Sequence, residues 1–517
     1  MSQLQGSLKA LSPALARLPH LSRSLWLAAF TLAAVAALFP GLWTLIALAG
    51  ISICLLLMIK PEVAVYLLTL SVPLGSLLEV QWGNLSVTPT EGLAALLALG
   101  WIARSLARRS FPIPLTPLSV PLALMLSLVA ISGFQAVEPA LTLKEALKWL
   151  ELVLVYLFII AEMSSPRQAT MLLLMMLAGA GIEALLGFVQ FGLGLGPETF
   201  AIGPFMRAYG TFEQPNPYAG YLGMLIPLGV GFLLTRPSRK ARTHAMVVSL
   251  LAVLAVLMSL SRGAWVGIGL ALSAMMLFWS RRSLLLLGAG LLAAAPLAAL
   301  AFLNLLPYEI TSRLATALDY FRFVDVAEEV PNPQNWAVIE RMAHWQAALS
   351  MIASHPLTGV GAGNYPAAYE LYSLPGWNEA LGHAHNFYLN VAAEMGIPAL
   401  VVYLWFLITA LVVTMKWLIR SREKEVPPSP EGERGEGEPG SPCHRLWRGI
   451  LLGVLGALVA SSIHNEFDSL FVHSMSVQLG MILALGQLSG SALSGENSPA
   501  AKPRGRLRHT PRGETIS

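Results

Sequence analysis

Long apolar runs alternate with short polar breaks along nearly the whole of this 517-residue chain. A helix crossing a hydrocarbon core of ~30 Å needs ~20 apolar residues. Read at that length, the pattern predicts spans at about 24–40, 41–59, 62–78, 90–107, 117–135, 145–162, 168–194, 216–235, 244–260, 263–280, 283–305, 396–418, 447–465 and 470–490. Only Pro40 and Gly41 part the first two, which read as a hairpin or as one kinked element, so the total is 12–14. The expected fold is an all-α polytopic membrane protein with 12–14 transmembrane helices and one long extracytoplasmic loop containing short helices.

The polar breaks set an orientation. Cytoplasmic loops carry an excess of Lys and Arg. With the N-terminus inside, alternation through fourteen spans puts Lys60, Arg104, Arg108, Arg109, Arg167, the cluster from Arg236 to Arg242, Arg281, Arg282 and the cluster from Lys416 to Lys424 on one face. The basic C-terminal tail falls there too. The expected organisation is a cytoplasmic N-terminal tail (1–23), eleven spans (24–305), an extracytoplasmic catalytic loop (306–395), C-terminal spans (396–490) interrupted by a cytoplasmic linker (423–446), and a cytoplasmic tail (491–517). The linker is rich in Pro, Gly and Glu, a composition that cannot bury a core.

Composition sharpens this picture without changing it. The chain is 55% apolar and 12% charged, against about 25% charged in soluble proteins. Its basic residues lie between spans, so they mark topology and not a nucleic-acid surface. Cys54 and Cys443 have no partner at metal-ligand spacing.

The outer loop differs from the inner ones. Between 306 and 395 stand three arginines, no lysine and nine acidic residues. "WAVIERMAHWQAALSMIASHP" has helical spacing, and "TGVGAGNY" reads as a turn, since it matches no phosphate-binding P-loop. Trp336 and Trp345 read as packing. The loop ends in "GHAHNFYLN", where a helix starting near Asn386 would align Asn386, Asn390 and Glu394 on one face, with a bend near Gly396 and Pro398.

Three more polar islands share this side: "RAYGTFEQPNPYAGYL", "SLSRGAWVGI" and "HNEFDSLFVH". An arginine at a membrane interface either snorkels or pairs with an anion. Arginine suits phosphate oxygens, and a histidine with a pKa near 6.5 can take a proton from a hydroxyl. Together these groups point to chemistry on a phosphate-bearing lipid. Taken singly, each histidine also fits an interfacial hydrogen-bonding role. A metal is not expected: His-x-His occurs in metal sites, but no convincing carboxylate or cysteine set completes one.

In order, "RAYGTFEQPNPYAGYL", "SRGAWVG", "HPLTGVGAGNY" and "HAHNFYLNVAAEMGIPAL", across residues 207–404, resemble the O-antigen ligase/polymerase superfamily. The resemblance implies a metal-independent, cofactor-free, inverting membrane glycosyltransferase of the GT-C type. Such enzymes act at the outer face of the bacterial cytoplasmic membrane. The implied partners are an undecaprenyl-diphosphate-linked glycan donor, a glycolipid, glycan or protein acceptor, and membrane lipid. By the same resemblance Arg207 and Arg262 bind the diphosphate and His385 is the general base. Arg341, His383, Asn386, Glu394 and Asn216 bind or support substrate, and Asp468 is a further candidate. The cytoplasmic insert and a span count above twelve depart from a ligase pattern.

Three acceptors compete within that reading: a glycolipid for a ligase, a second lipid-linked chain for a polymerase, and a Ser or Thr side chain for a protein O-oligosaccharyltransferase. From another class, a transporter or lipid flippase would place charge deep within a span, and Glu183 in "GIEALLG" is the one acid so placed.

Overall fold

The computed structural model describes residues 42–280 apart from 83, 84 and 112, then 335–423 and 441–495, with isolated positions between 285 and 331. The expected spans 24–40 and 283–305, residues 306–324 of the outer loop, most of the linker and the last part of the tail lie outside the described residues. Within them the chain is almost wholly helical. Among the described residues eight helices are long and apolar enough to cross a membrane, and the protein is a multi-pass α-helical membrane protein.

The first helices are α1 (Leu42–Ile59), α2 (Pro61–Leu74), α3 (Pro89–Arg108), α4 (Ser119–Ser132), α5 (Pro139–Glu162) and α6 (Pro166–Leu193). They are followed by α7 (Pro215–Leu234), α8 (Arg239–Met258) and α9 (Arg262–Trp279). A 3-residue hairpin pair, β1 (Val80–Trp82) with β2 (Leu85–Val87), joins α2 to α3. A smaller one, β3 (Ala201–Ile202) with β4 (Phe205–Met206), follows α6. Local chemistry sets the starts. Pro89, Pro139, Pro166 and Pro215 open their helices, where a missing N–H costs nothing. Thr88 with Glu91 and Ser165 with Gln168 form capping boxes.

The outer loop supplies α10 (Trp336–Ser354) and α11 (Tyr365–Tyr372). The last helices are α12 (Phe387–Glu423), α13 (Pro442–His464) and α14 (Met475–Ser494). One boundary corrects the sequence reading. Residues 442–446, expected in the linker, are helical, because the Ser441 side chain accepts the His444 N–H and Pro442 stands at the first helical position. Helix α12 starts at Phe387 and kinks at Gly396 (φ 82°), in line with the expected start near Asn386 and bend near Gly396. The N–H groups of Val360 and Gly361 bond the carbonyls of Ala393 and Glu394 beside that kink.

The core packs α7 against α13 through small residues. A Cβ on Gly231 would lie 2.7 Å from the Gly453 nitrogen, so glycine there lets the two backbones touch. The helix ends sort into two layers. At one end Arg104 bonds the Met58 carbonyl, Arg108 bonds Glu162, and Arg448 bonds the Trp279 carbonyl. At the other end the loops after α6, α8, α11 and α13 converge, and these carry the polar islands.

Candidate active site

Three segments meet at that second end: α10, the turn leading into α12, and the 465–474 loop after α13. The Phe387 N–H bonds the Asn465 carbonyl at 2.8 Å, and the Asn386 amide donates to the Glu466 carbonyl at 3.2 Å. These bonds dock the "HAHN" turn on the loop and bring His383 and His385 onto Asp468. His383 Nε2 lies 3.3 Å and His385 Nδ1 3.6 Å from the same Asp468 Oδ1. Asp468 is 1% exposed.

The hydrogen bonds fix one tautomer. The backbone N–H of His385 donates to His383 Nδ1 at 3.0 Å, so that nitrogen accepts and the proton of neutral His383 sits on Nε2, facing Asp468. Burial first, then His385, pushes the His383 pKa down to about 4. Burial would push Asp468 up, but His385, His383 and the Arg341 charge outweigh it and hold the carboxyl well below the usual carboxylate range. At neutral pH the pair is an anionic Asp468 beside a neutral His383. His385 itself sits at φ +50°, a left-handed backbone costly for a side chain of its size. Neither of its ring nitrogens has a hydrogen-bond partner among the described residues. Its Nδ1 is aimed at Asp468, which leaves Nε2 as the nitrogen able to receive a proton.

His344 is the neighbour that sequence reasoning missed. Its ring lies 5.6 Å from that of His385 and stacks on Tyr369 at 4.6 Å. Its Nδ1 meets the Tyr365 hydroxyl at 3.0 Å, and that hydroxyl donates to the His344 carbonyl. Burial, then His385 and His383, pushes its pKa to about 3. The signal was present: Arg341 and His344 stand one turn apart on α10 and share a face. His344 and Tyr369 wall the base with uncharged rings.

The predicted stripe on α12 is present, and each member holds a different strand of the loop. Asn386 caps α12 through the Leu389 N–H and reaches residue 466. Asn390 accepts the Ala384 N–H at 3.0 Å. Glu394 accepts the N–H groups of Gly363 at 2.8 Å and Tyr365 at 3.1 Å. Glu394 thus anchors the Gly-rich turn and stands apart from the histidine cluster.

The arginines come from a second junction. Arg207 Nε donates to the Ser259 carbonyl at 2.7 Å, and its Nη2 donates to Asn216 Oδ1 at 3.0 Å. The Ala208 N–H bonds the Met258 carbonyl. Three residues beyond Ser259, past Leu260 at φ +52°, Arg262 opens α9. Arg207, with Asn216 on its guanidinium, is therefore held on the turn that leads into Arg262. A Cβ on the next residue, Gly263, would lie 3.2 Å from Phe467, so this turn abuts the loop that carries Asp468.

Glu183 has its own partners. It accepts the Thr211 N–H at 3.0 Å and the Thr211 hydroxyl at 2.9 Å. Gln190, two turns along α6, bonds Tyr209 and both backbone groups of Gly210. These two side chains satisfy backbone that dips into the bundle, which membrane depth requires. The deep acid that favoured a transporter thus holds the Arg207 segment in place.

His383, His385 and Asp468 also offer ligand atoms within 4.8 Å of one another, a set a divalent ion could use. The carboxylate missing near His-x-His in sequence is supplied by the fold from the far side of α13. The hydrogen bonds described above account for these positions as an Asp–His pair flanked by a second histidine.

Fold and site together define a multi-pass membrane protein with two half-buried histidines on a buried aspartate, Asp468. Residues 246–404 match the family model described as "O-Antigen ligase", which supports a likeness to the O-antigen ligase superfamily over that stretch. It supports ligase- or polymerase-like glycosyl transfer, with a lipid-linked glycan and an acceptor as partners. The matched stretch holds Arg262, Arg341, His383, His385, Asn386 and Glu394; Arg207, Asn216 and Asp468 lie outside it. No curated protein matches the chain.

Proposed function

We propose that the protein transfers a glycan from an undecaprenyl-diphosphate donor to an acceptor hydroxyl, with inversion and without a metal. The acceptor O–H gives its proton to His385 Nε2. The freed oxygen attacks the anomeric carbon, and the carbon–oxygen bond to phosphate breaks. The electron pair leaves on undecaprenyl diphosphate, whose charge Arg207 and Arg262 stabilise. Asp468 holds His385 Nδ1–H and steadies the imidazolium that forms. Arg341 adds positive charge near the donor. No nucleotide enters, because the diphosphate linkage carries the activation.

The observation that carries this reading is the aim of His385 Nδ1 at buried, anionic Asp468. Paired this way, a histidine presents its other nitrogen as a base. Arg104, Arg108 and Arg448 lie at the opposite end of the bundle, and the positive-inside rule supports reading this site as facing outward, at the outer face of the cytoplasmic membrane. The acceptor is a lipid-anchored sugar core, with a second lipid-linked chain as the next alternative. The test is purified protein in lipid nanodiscs given an undecaprenyl-diphosphate-linked glycan and, in turn, a glycolipid, a second lipid-linked chain or a Ser/Thr peptide. Release of undecaprenyl diphosphate that requires one of them supports transfer and names its class. Release with none of them, or with all equally, contradicts it.

A further inference from the structure

A cavity of about 680 Å³ opens between α2, α3 and α5, at the same end of the bundle as the site. That volume lies within the ~300–1,000 Å³ of ordinary small-molecule sites. Two of its edges belong to segments already described. Glu213 lies between Arg207 and Asn216, and Val472, His473 and Ser474 continue from Asp468. The cavity and the site are neighbours: Lys148 reaches the Phe471 carbonyl at 3.4 Å, and Phe471 stacks at 4.5 Å on Phe387, two residues after His385.

Its chemistry is divided. One wall is apolar: Val72, Ala94, Leu147, Leu150 and Leu154. Leu147 and Leu150 are 42% and 40% exposed, so this wall is open at the side of the bundle. The other wall is polar, with the carboxylates of Glu79, Glu91 and Glu213 and the carboxyl of Glu151 set against Lys144, Lys148 and His473. Lys148 is already paired with Glu145 at 2.7 Å, and burial lowers the pKa of His473. A diphosphate entering here would face the carboxylates of Glu79, Glu91 and Glu213, with Lys148 held by Glu145. Uncharged sugar hydroxyls suit this wall, since carboxylates accept from them, and Ser76, Thr88 and Ser474 both give and accept. Glu213, His473 and Ser474, at φ +58°, +47° and +58°, are also three of the seven described non-glycine residues with left-handed backbone. Such conformations gather at ligand clamps.

We infer that this cavity binds the acceptor: a glycolipid whose uncharged, hydroxyl-rich head meets the carboxylate wall and whose chain lies against Leu147 and Leu150. This rests on the transfer reading above and adds to it a second, donor-excluding site. The probe is a decyl maltoside carrying a diazirine, photolysed with the full-length protein in nanodiscs. Crosslinks are expected on residues 88–95 and 144–154, competed by an uncharged diglucosyl diacylglycerol and not by undecaprenyl diphosphate. Competition by undecaprenyl diphosphate instead, or label elsewhere, overturns the assignment whether or not the protein is a transferase. In turnover, Leu150→Trp and Lys144→Ala are each expected to raise the acceptor KM by about tenfold or more while kcat and the donor KM hold. An unchanged acceptor KM in both variants, where the wild type does turn over, overturns the cavity alone. Acceptor-independent release by wild type overturns the transfer reading, and the crosslink pattern still judges the cavity.

Discussion

His385 Nδ1 faces Asp468 Oδ1 at 3.6 Å, with the His385 backbone held at φ +50° by bonds from the turns on either side. That separation is longer than a formed hydrogen bond, as is common in sites that tighten on substrate. If Asp468 orients the base, Asp468→Asn leaves a folded protein that turns over slowly. The expected loss in kcat is ~10²–10⁴-fold, the range of general-base catalysis, with little change in donor KM. Steady-state kinetics on the purified variant check it, and a change confined to KM would reassign Asp468 to binding.

The arginine junction gives a second prediction. Removing one fixed donor to developing charge costs ~10²–10³ in kcat. Arg207→Ala and Arg262→Ala should each fall at least that far while remaining in the membrane fraction. Lysine at either position should restore only part, because it lacks the fork that meets two phosphate oxygens. Full activity in Arg262→Ala would contradict the mechanism.

Glu183 and Glu394 act through other segments, so their loss should look different. Glu394→Ala leaves the N–H groups of Gly363 and Tyr365 without their acceptor, at ~1–3 kcal/mol for each buried donor. Its expected signature is faster proteolysis between 355 and 385. Glu183→Ala should loosen residues 208–214 in the same assay and raise donor KM through Arg207. Neither should alter the pH dependence of kcat. Wild-type proteolysis rates in both variants would refute the positioning roles.

How much of this was legible in the sequence follows from what each feature depends on. The described spans rest on long apolar runs, a local signal, and these were readable. So was the stripe Asn386, Asn390, Glu394, because helical periodicity is local. The partner of His385 was only a weak candidate, since Asp468 reaches it across all of α12 and α13. The non-metal reading of His-x-His failed to foresee a carboxylate for the same reason. His344 was overlooked because a histidine among apolar residues looks like packing, and Glu183 misled because its partner, Thr211, arrives from a different segment.

The cluster also predicts acid sensitivity. His344 and His383 are held neutral, with pKa values pushed down to about 3 and about 4, against about 6.5 when unfolded. Between about pH 6.5 and 4 the unfolded chain binds more protons than the folded one, so stability falls as pH falls through that window. Asp468 works in the same direction at lower pH, since its stabilisation is lost as the carboxylate protonates. Melting in nanodiscs from pH 7.5 to 4 should show the decline, and His344→Phe should flatten it. A melting temperature independent of pH would contradict the neutral assignment.

The most direct measurement compares wild type with His385→Ala in nanodiscs after EDTA treatment, following release of undecaprenyl diphosphate by mass spectrometry with and without acceptor. The account predicts acceptor-dependent release by wild type, unaffected by the chelator, and its loss in the variant by ~10²-fold or more. Equal release by both proteins, or release abolished by EDTA and restored by zinc, would contradict His385 as the metal-free base.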